Sequence, residues 1–243
     1  MFFGNILIWF VVVPILMLAG LALCGQNNMK AIRGVMVTCS TVLLGMSIWL
    51  VCDFLAQRAA GNQAEMLWMD SWMWYKPLNI HLAVGVDGIS VLMLLLTSII
   101  VFAGTFASWK INPLPKNFFL WYSLLSTGVY GFFISIDMFT MFMFYEVALI
   151  PMYLLIGVWG TGRKEYSAMK LTLMLMGGSA FLMLGLLGIY WHGTPEGMTH
   201  TWNILEISHY GNIDYGWQNL LFVFTFVGFG VLGACLLYTS DAA

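Results

Sequence analysis

Long apolar stretches alternate with short polar ones along this chain, and seven of the stretches are long enough to cross a bilayer. A hydrocarbon core of roughly 30 Å needs about 20 helical residues. Strands in hydrocarbon would leave backbone groups unpaired, and no stretch alternates with the period of two that a membrane barrel requires, so we expect helices. The predicted spans are Ile6–Cys24, Gly34–Cys52, Gly88–Trp109, Phe118–Ile136, Met138–Trp159, Met169–Trp191 and a seventh that begins at Leu220.

Two connections between these stretches are long and rich in tryptophan. Ala56–Val86 contains three tryptophans and His192–Asn219 contains two. Indole rings favour the boundary between lipid and water, so we expect both connections to lie along the membrane surface. Within the second, Thr201–Tyr210 is predicted to form a short interfacial helix.

Basic residues concentrate in alternate connections. The first, third and fifth connections, with their flanks, hold seven of the nine Lys and Arg residues: Lys30, Arg33, Lys110, Lys116, Arg163, Lys164 and Lys170. The other three hold Arg58 and Lys76, together with all four histidines. By the positive-inside rule the basic connections face the cytoplasm, which puts the N-terminus on the outer side.

Composition excludes several classes of protein. Hydrophobic residues make up 61% of the chain and charged residues 8%, against roughly 25% charged in an ordinary soluble domain. The net charge of −2 and the lack of a basic run give no basis for binding nucleic acid. The sequence has no haem or iron–sulfur cysteine pattern, P-loop or dinucleotide fingerprint. The four histidines have no ligand spacing and are expected at the surface, with no metal on this chain.

One acidic residue lies where an ionisable group is costly. Glu146 follows Asp137 by nine residues, so it lies roughly 13 Å into the fifth predicted helix. An ionisable group at that depth costs at least about 3 kcal/mol and usually faces a polar interior or a water path. Pro151 lacks an N–H group, which leaves the Val147 carbonyl without its helical donor. We predict that Glu146 transfers protons; the alternative is a neutral carboxyl that only links helices.

Three other ionisable residues are less distinctive. Lys170 lies about three residues inside the cytoplasmic end of the sixth predicted helix. It could extend to the interface, or turn inward and transfer protons or modulate the charge of Glu146. Asp87 and Asp137 stand at helix ends, where we expect their carboxylates to reach water.

Three motifs carry a family resemblance. The segment Tyr145–Gly160 closely resembles the fifth-helix signature of the antiporter-like, proton-translocating subunits of NADH:quinone oxidoreductase, respiratory complex I. The bacterial M-type subunit, equivalent to mitochondrial subunit 4, is the best match. Val84–Ser90 is similar to the motif that begins helix three of that family, and Ser167–Leu171 to its helix-six lysine motif.

The resemblance implies a fold and a function. Family members have about fourteen helices with two inverted five-helix repeats. This chain would then comprise membrane helices one to three in residues 1–116 and an incomplete repeat, helices four to seven, in residues 117–234. The implied proton-transfer residues are Glu146 and Lys170. NADH, flavin, iron–sulfur clusters and quinone would be bound by other subunits, and the partners would be neighbouring antiporter-like subunits in a bacterial inner membrane.

The sequence departs from the family pattern in two places. In many relatives a lysine follows the Gly-Phe-Gly-Val stretch that here ends at Val231, whereas this chain has Leu232. Relatives also continue beyond the position of Ala234 into further helices. Residues 235–243 resemble a translated sequencing adapter, so we expect them to be non-native and the chain to be an N-terminal fragment that is inactive alone.

Two other functions are compatible with these features. Subunits of Mrp-type cation/proton antiporters share the motifs and the fold. A purely structural membrane scaffold, whose buried polar groups only hold helices together, is the third possibility. The match around Glu146 favours the complex I subunit.

Overall fold

Helices dominate the computed structural model, which describes residues 5–25, 28–62, 64–111, 113–195, 197–211 and 213–241, with side chains as far as Val231. The elements in chain order are α1 Ile6–Leu23, α2 Met29–Ala59, β1 Leu67–Tyr75, β2 Ile80–Val86, α3 Gly88–Ala107, α4 Pro115–Ile134, α5 Met138–Trp159, α6 Lys164–His192, α7 Ile204–Tyr210 and α8 Tyr215–Asp241.

Each of the seven predicted spans coincides with a helix, and the all-helical membrane fold class is confirmed. Five of the described helices, α1, α2, α3, α5 and α6, are long and apolar enough to cross a membrane. The short interfacial helix expected within Thr201–Tyr210 is α7. Leu232 and the tail from Cys235 lie outside the residues whose side chains the structure describes.

Side-chain caps explain where many of these helices begin. The first N–H groups of a helix have no partner within it, and Asn or Asp at the N-cap can accept from them. The capping side chains are Asn5 for α1, Asn28 for α2, Asp87 for α3, Asp137 for α5 and Asn203 for α7. Helix α4 begins instead with Pro115, whose missing N–H costs nothing at that position.

The sequence did not predict the β-hairpin that β1 and β2 form. A 3-10 turn over Lys76–Leu78 joins the strands, and Asn79 completes the reversal in the left-handed conformation. Trp72 and Trp74 on β1 are about 60% exposed, which agrees with a segment at the lipid–water boundary. The strand was missed because Leu67–Tyr75 is rich in aromatic residues but lacks regular alternation.

The chain divides into two compact units. The first comprises Met1–Ser71, Val84–Ser135 and Phe144–Pro151, and its core packs α1 to α4 through two clusters of buried apolar residues. The second comprises Trp72–Ala83, Ile136–Met143 and Met152–Ala243, and its core includes Leu182, Leu186, Tyr190 and Trp202.

Basic side chains hold helix ends in the first unit. The Lys116 ammonium donates to the backbone oxygens of Ala22 and Cys24, at 3.1 and 2.6 Å. Arg33 donates to the Trp109 oxygen at 2.7 Å, and its guanidinium lies 5.0 Å from the centre of the Trp109 ring. These cations satisfy carbonyls that a helix end leaves without partners.

Helices α4 and α5 approach each other so closely that only glycine fits between them. A Cβ atom on Gly128 would lie 2.9 Å from both the Ala148 nitrogen and the Phe144 oxygen. Gly131 faces the Phe144 ring with equally little space. The Phe144–Ala148 turn of α5 is thereby packed directly against α4 within the first unit.

Small residues bring α6 and α8 together in the second unit. Gly178 of α6 lies against Val231, and Gly228 of α8 lies against the backbone of Leu182. Small residues such as Gly177, Gly178 and Ser179 allow another helix to approach closely. Only Gly178 of the glycine pair is used, because a Cβ on Gly177 would meet nothing within 4 Å.

Asp137 holds the beginning of α5 in the second unit. Its Oδ1 accepts from the amides of Phe139 and Thr140, and its Oδ2 accepts from the His81 amide at 3.2 Å. The side chain is 1% exposed, so the expectation that it reaches water is wrong. Its neighbours Ile136 and Met138 are buried as well.

We expect Gly128→Ala to destabilise the protein by about 1–3 kcal/mol, because the added methyl group meets backbone atoms that cannot move independently. The matched control is Gly45→Ala in α2, where a Cβ meets nothing within 4 Å. The control should be neutral or stabilising by up to about 1 kcal/mol. Thermal unfolding of the purified protein in detergent measures both, and equal midpoints for the two variants would contradict the packing described for α4 and α5.

Asp137→Asn should cost about 1–3 kcal/mol, because an amide cannot accept from three backbone N–H groups at once. Asp87→Asn is the control: that carboxylate accepts from the Ser90 amide at 2.7 Å, a bond that the Asn oxygen can keep. A loss of stability as large for Asp87→Asn as for Asp137→Asn would refute this interpretation.

The stability difference between wild type and Asp137→Asn should depend on pH. Burial raises the pKa of Asp137 above its ordinary value of 3.8, and hydrogen bonds from Thr140, His81 and Phe139 oppose the rise. A carboxyl group whose pKa is higher in the folded than in the unfolded protein stabilises the fold at pH values below its unfolded pKa. This stabilisation is lost as the pH rises through the folded pKa. The difference in unfolding temperature between wild type and Asp137→Asn should therefore narrow as pH rises from about 4 to 7.

Candidate functional site

Glu146 lies near the middle of α5, as its distance from Asp137 predicts. The residue is half-buried, but its Oε1 atom is buried and has no hydrogen-bond partner among the residues described. Pro151 follows within the same helix and is buried. A buried oxygen without a donor costs about 1–3 kcal/mol or more, so this carboxyl is prepared for water, a proton or another side chain.

The close packing of α4 fixes the turn of α5 that carries Glu146. Phe144 and Ala148, which flank Glu146 at two residues on either side, are the contacts of Gly128 and Gly131. Backbone in contact with backbone cannot shift without a clash. The turn of α5 that carries Glu146 is therefore held against α4 by backbone contact at Gly128 and by the Phe144 ring at Gly131.

Hydroxyl groups line the interior of the first unit. The Tyr130 hydroxyl donates to Ser98 Oγ at 3.0 Å, and both residues are fully buried. Ser98 donates in turn to the Leu94 oxygen, and Ser123 donates to the Pro14 oxygen. These contacts satisfy the hydroxyls locally, so they stabilise the helix packing of the unit.

Lys170 lies on the exposed side of α6 in the described chain. Its neighbours Ala168 and Leu171 are buried, whereas Met169 and Leu173 are exposed like the lysine itself. The structure does not bring Lys170 and Glu146 together within one compact unit. A role for Lys170 in proton transfer stays a prediction.

The histidines are more buried than the sequence suggested. His81, His192 and His200 are half-buried, and only His209 is exposed. His81 Nε2 lies 3.0 Å from Asn79 Oδ1, and Asn79 donates to the His200 oxygen. Among the described residues no group of three His, Cys, Asp or Glu side chains is arranged to hold a metal ion.

Sequence reasoning missed two kinds of site residue. Asp137 carries a capping pattern, Asp-Met-Phe-Thr, that indicates a helix start but not the burial of the carboxylate. The other kind comprises Thr194 and His200, whose Oγ1 and Nδ1 atoms are buried without a hydrogen-bond partner among the described residues. The sequence gave no signal for them, because such burial depends on packing between distant segments.

Comparisons with known proteins agree on one family. Residues 135–238 match the family of transmembrane segments of NADH:quinone oxidoreductases and Mrp antiporters. The chain is 31% identical over 172 residues to NAD(P)H-quinone oxidoreductase chain 4 of Prochlorococcus marinus. The matched region covers 70% of this chain and 30% of that protein. It is 37% identical over 129 residues to the chloroplastic chain 4 of Coffea arabica, and that match covers 53% of this chain and 26% of the relative.

Solved structures give the same fold. A chain of respiratory complex I from Thermus thermophilus superposes with a TM-score of 0.72 at 20% identity, covering 90% of this chain and 43% of its own. A chain of an archaeal membrane-bound sulfane sulfur reductase superposes with a TM-score of 0.71 at 18% identity, and the match covers 92% of this chain and 44% of that chain.

The chain thus spans about 30% of the length of its curated relative from Prochlorococcus marinus. Its fifth helix, with Glu146, lies inside the region matched by the family. Residues 135–238, which include α5 and Glu146, therefore match the transmembrane family shared by NADH:quinone oxidoreductases and Mrp antiporters, and the chain is similar to part of oxidoreductase chain 4.

Proposed function

We propose that the protein is a membrane subunit of an NADH:quinone oxidoreductase that translocates protons as electrons pass from NADH to quinone. The observation that carries the proposal is the buried Oε1 of Glu146, which has no hydrogen-bond partner among the described residues in the middle of an apolar helix. Curated relatives that are named NAD(P)H-quinone oxidoreductase chain 4 support the reaction.

In this mechanism the chain moves protons and leaves the redox steps to other subunits. A carboxyl held in a low-dielectric environment exchanges a proton when water or a neighbouring charge reaches it. Glu146 would take a proton from a water path and release it when charge elsewhere in the complex changes. NADH, flavin, iron–sulfur clusters and quinone would be bound by those other subunits.

The surroundings proposed for the protein follow from its charges and relatives. The N-terminus would lie on the outer side of a bacterial inner membrane. Seven of the nine basic residues lie in or beside the first, third and fifth connections, which would face the cytoplasm by the positive-inside rule. Neighbouring antiporter-like subunits and lipid would be its partners. Residues 1–116 and 117–234 would correspond to the three first helices and an incomplete repeat.

The two alternatives make different demands. An Mrp-type antiporter would exchange a cation for protons without NADH, and the fold is compatible with it because the matched family includes both groups. A structural scaffold would need its polar groups paired with one another, and the partnerless oxygen of Glu146 among the described residues argues against that.

Glu146→Gln in the full-length protein should lower NADH-driven proton pumping by an order of magnitude or more, because an amide cannot exchange a proton. Proton uptake by inverted membrane vesicles, with NADH oxidation recorded in the same sample, measures both activities. The matched control is Glu165→Gln, which neutralises an exposed carboxylate at the start of α6. Unchanged pumping by Glu146→Gln in a correctly assembled complex would reject the proposed role of this residue.

Lys170 can be tested for proton transfer against charge modulation. Lys170→Gln should reduce pumping by less than Glu146→Gln does. Lys170→Arg keeps the positive charge but cannot release a proton, so restored pumping indicates charge modulation and lost pumping indicates transfer. Lys110→Gln, at another exposed lysine, is the control. If both Lys170 variants pump like wild type, the lysine has neither role.

A further inference from the structure

A cavity of about 430 Å³ lies in the second unit, where α6 ends and α8 begins. Two stacked pairs of rings form part of its wall. Trp191 stacks on His200 with ring centres 5.2 Å apart, and His192 stacks on Trp217 at 4.2 Å. The volume falls in the range of about 300–1,000 Å³ that is typical of small-molecule sites.

Two buried polar atoms of the lining residues have no hydrogen-bond partner in the part of the chain that the structure describes. Thr194 is 7% exposed, and its Oγ1 makes no hydrogen bond to any residue the structure describes. His200 Nδ1 is likewise buried and without a partner there. Each such atom costs about 1–3 kcal/mol when left alone, so a guest that forms hydrogen bonds with these two atoms would be stabilised.

The charge of the lining selects the kind of guest. Among the described lining residues Asp214 supplies a carboxylate, and none is Lys or Arg. Indole rings attract a cation through their π faces. The site therefore favours an organic cation over an anion.

The number of acceptors narrows the choice further. The Asp214 carboxylate, Thr194 Oγ1 and His200 Nδ1, the last in the tautomer protonated on Nε2, offer three acceptor groups. A primary ammonium has three N–H donors, whereas a quaternary ammonium has none. The match in number and charge is to a primary ammonium group.

The place of the cavity identifies the source of that ammonium. Trp191 and Trp217, at the ends of two long helices, are 66% and 45% exposed, and indoles at such ends lie at the level of the lipid headgroups. We propose that the cavity binds the ammonium of a phosphatidylethanolamine headgroup. This inference is independent of the function proposed for Glu146.

The test is lipid retention by the full-length protein. The protein is reconstituted in bilayers of phosphatidylglycerol mixed with phosphatidylethanolamine, its N-monomethyl and N-dimethyl forms, or phosphatidylcholine. Native mass spectrometry after mild extraction then counts the bound lipids. Retention should fall stepwise as methyl groups replace donors, with about a tenfold difference between the two ends of the series.

Variants locate the site. Asp214→Asn should weaken retention of phosphatidylethanolamine by about tenfold and Thr194→Val by about threefold. Thr194→Ser keeps the hydroxyl and should retain the lipid. Glu206→Gln, which removes an exposed carboxylate of α7 outside the cavity, should behave like wild type.

Three results would overturn the proposal. One is equal retention of phosphatidylethanolamine and phosphatidylcholine. The second is wild-type retention by both Asp214→Asn and Thr194→Val. The third is cross-linking of Asp214 to a lysine of a neighbouring subunit with no lipid retained, which would assign the cavity to a protein ammonium. If Asp214→Asn fails to fold by circular dichroism, Thr194→Val and the methylation series decide.

Discussion

A carboxyl group halfway along an apolar helix is the constraint on which this structure depends. Lipid offers it no hydrogen bonds, so the protein must either neutralise it, pair it or give it access to water. Here the backbone around Glu146 is held by contact with α4, while one carboxyl oxygen has no partner among the described residues. The close packing and the unsatisfied oxygen are the two observations on which the proposed proton exchange at Glu146 rests.

Much of this arrangement can be predicted from the sequence, for physical reasons that differ by element. Hydrocarbon forces every apolar span to be a helix, so the spans follow from length and composition alone. The depth of Glu146 follows from the constant rise of a helix once Asp137 is recognised as its start. Both inferences are local, and neither needs to know which segments pack together.

The features that escaped prediction depend on contacts between distant segments. The hairpin strand Leu67–Tyr75 contains the aromatic residues that strands favour, but its exposed face gave no alternation to detect. Asp137 was expected in water, yet its carboxylate accepts from the His81 amide, 56 residues away. The polar cavity near Thr194 is likewise formed by residues that only the tertiary fold brings together.

Three of the seven basic residues that are expected to determine membrane orientation also hold helix ends. Lys116 and Arg33 donate to backbone oxygens in the first unit, and Lys164 donates to the Val158 oxygen in the second. The same three side chains are thus expected to determine orientation and also form hydrogen bonds that hold helix ends. Replacing these residues by acidic ones would remove the hydrogen bonds to helix ends and would also change the charges that are expected to set orientation. A reporter of topology fused to the termini could not separate misfolding from a reversed orientation. Orientation is better probed by adding charges to other connections than by removing these.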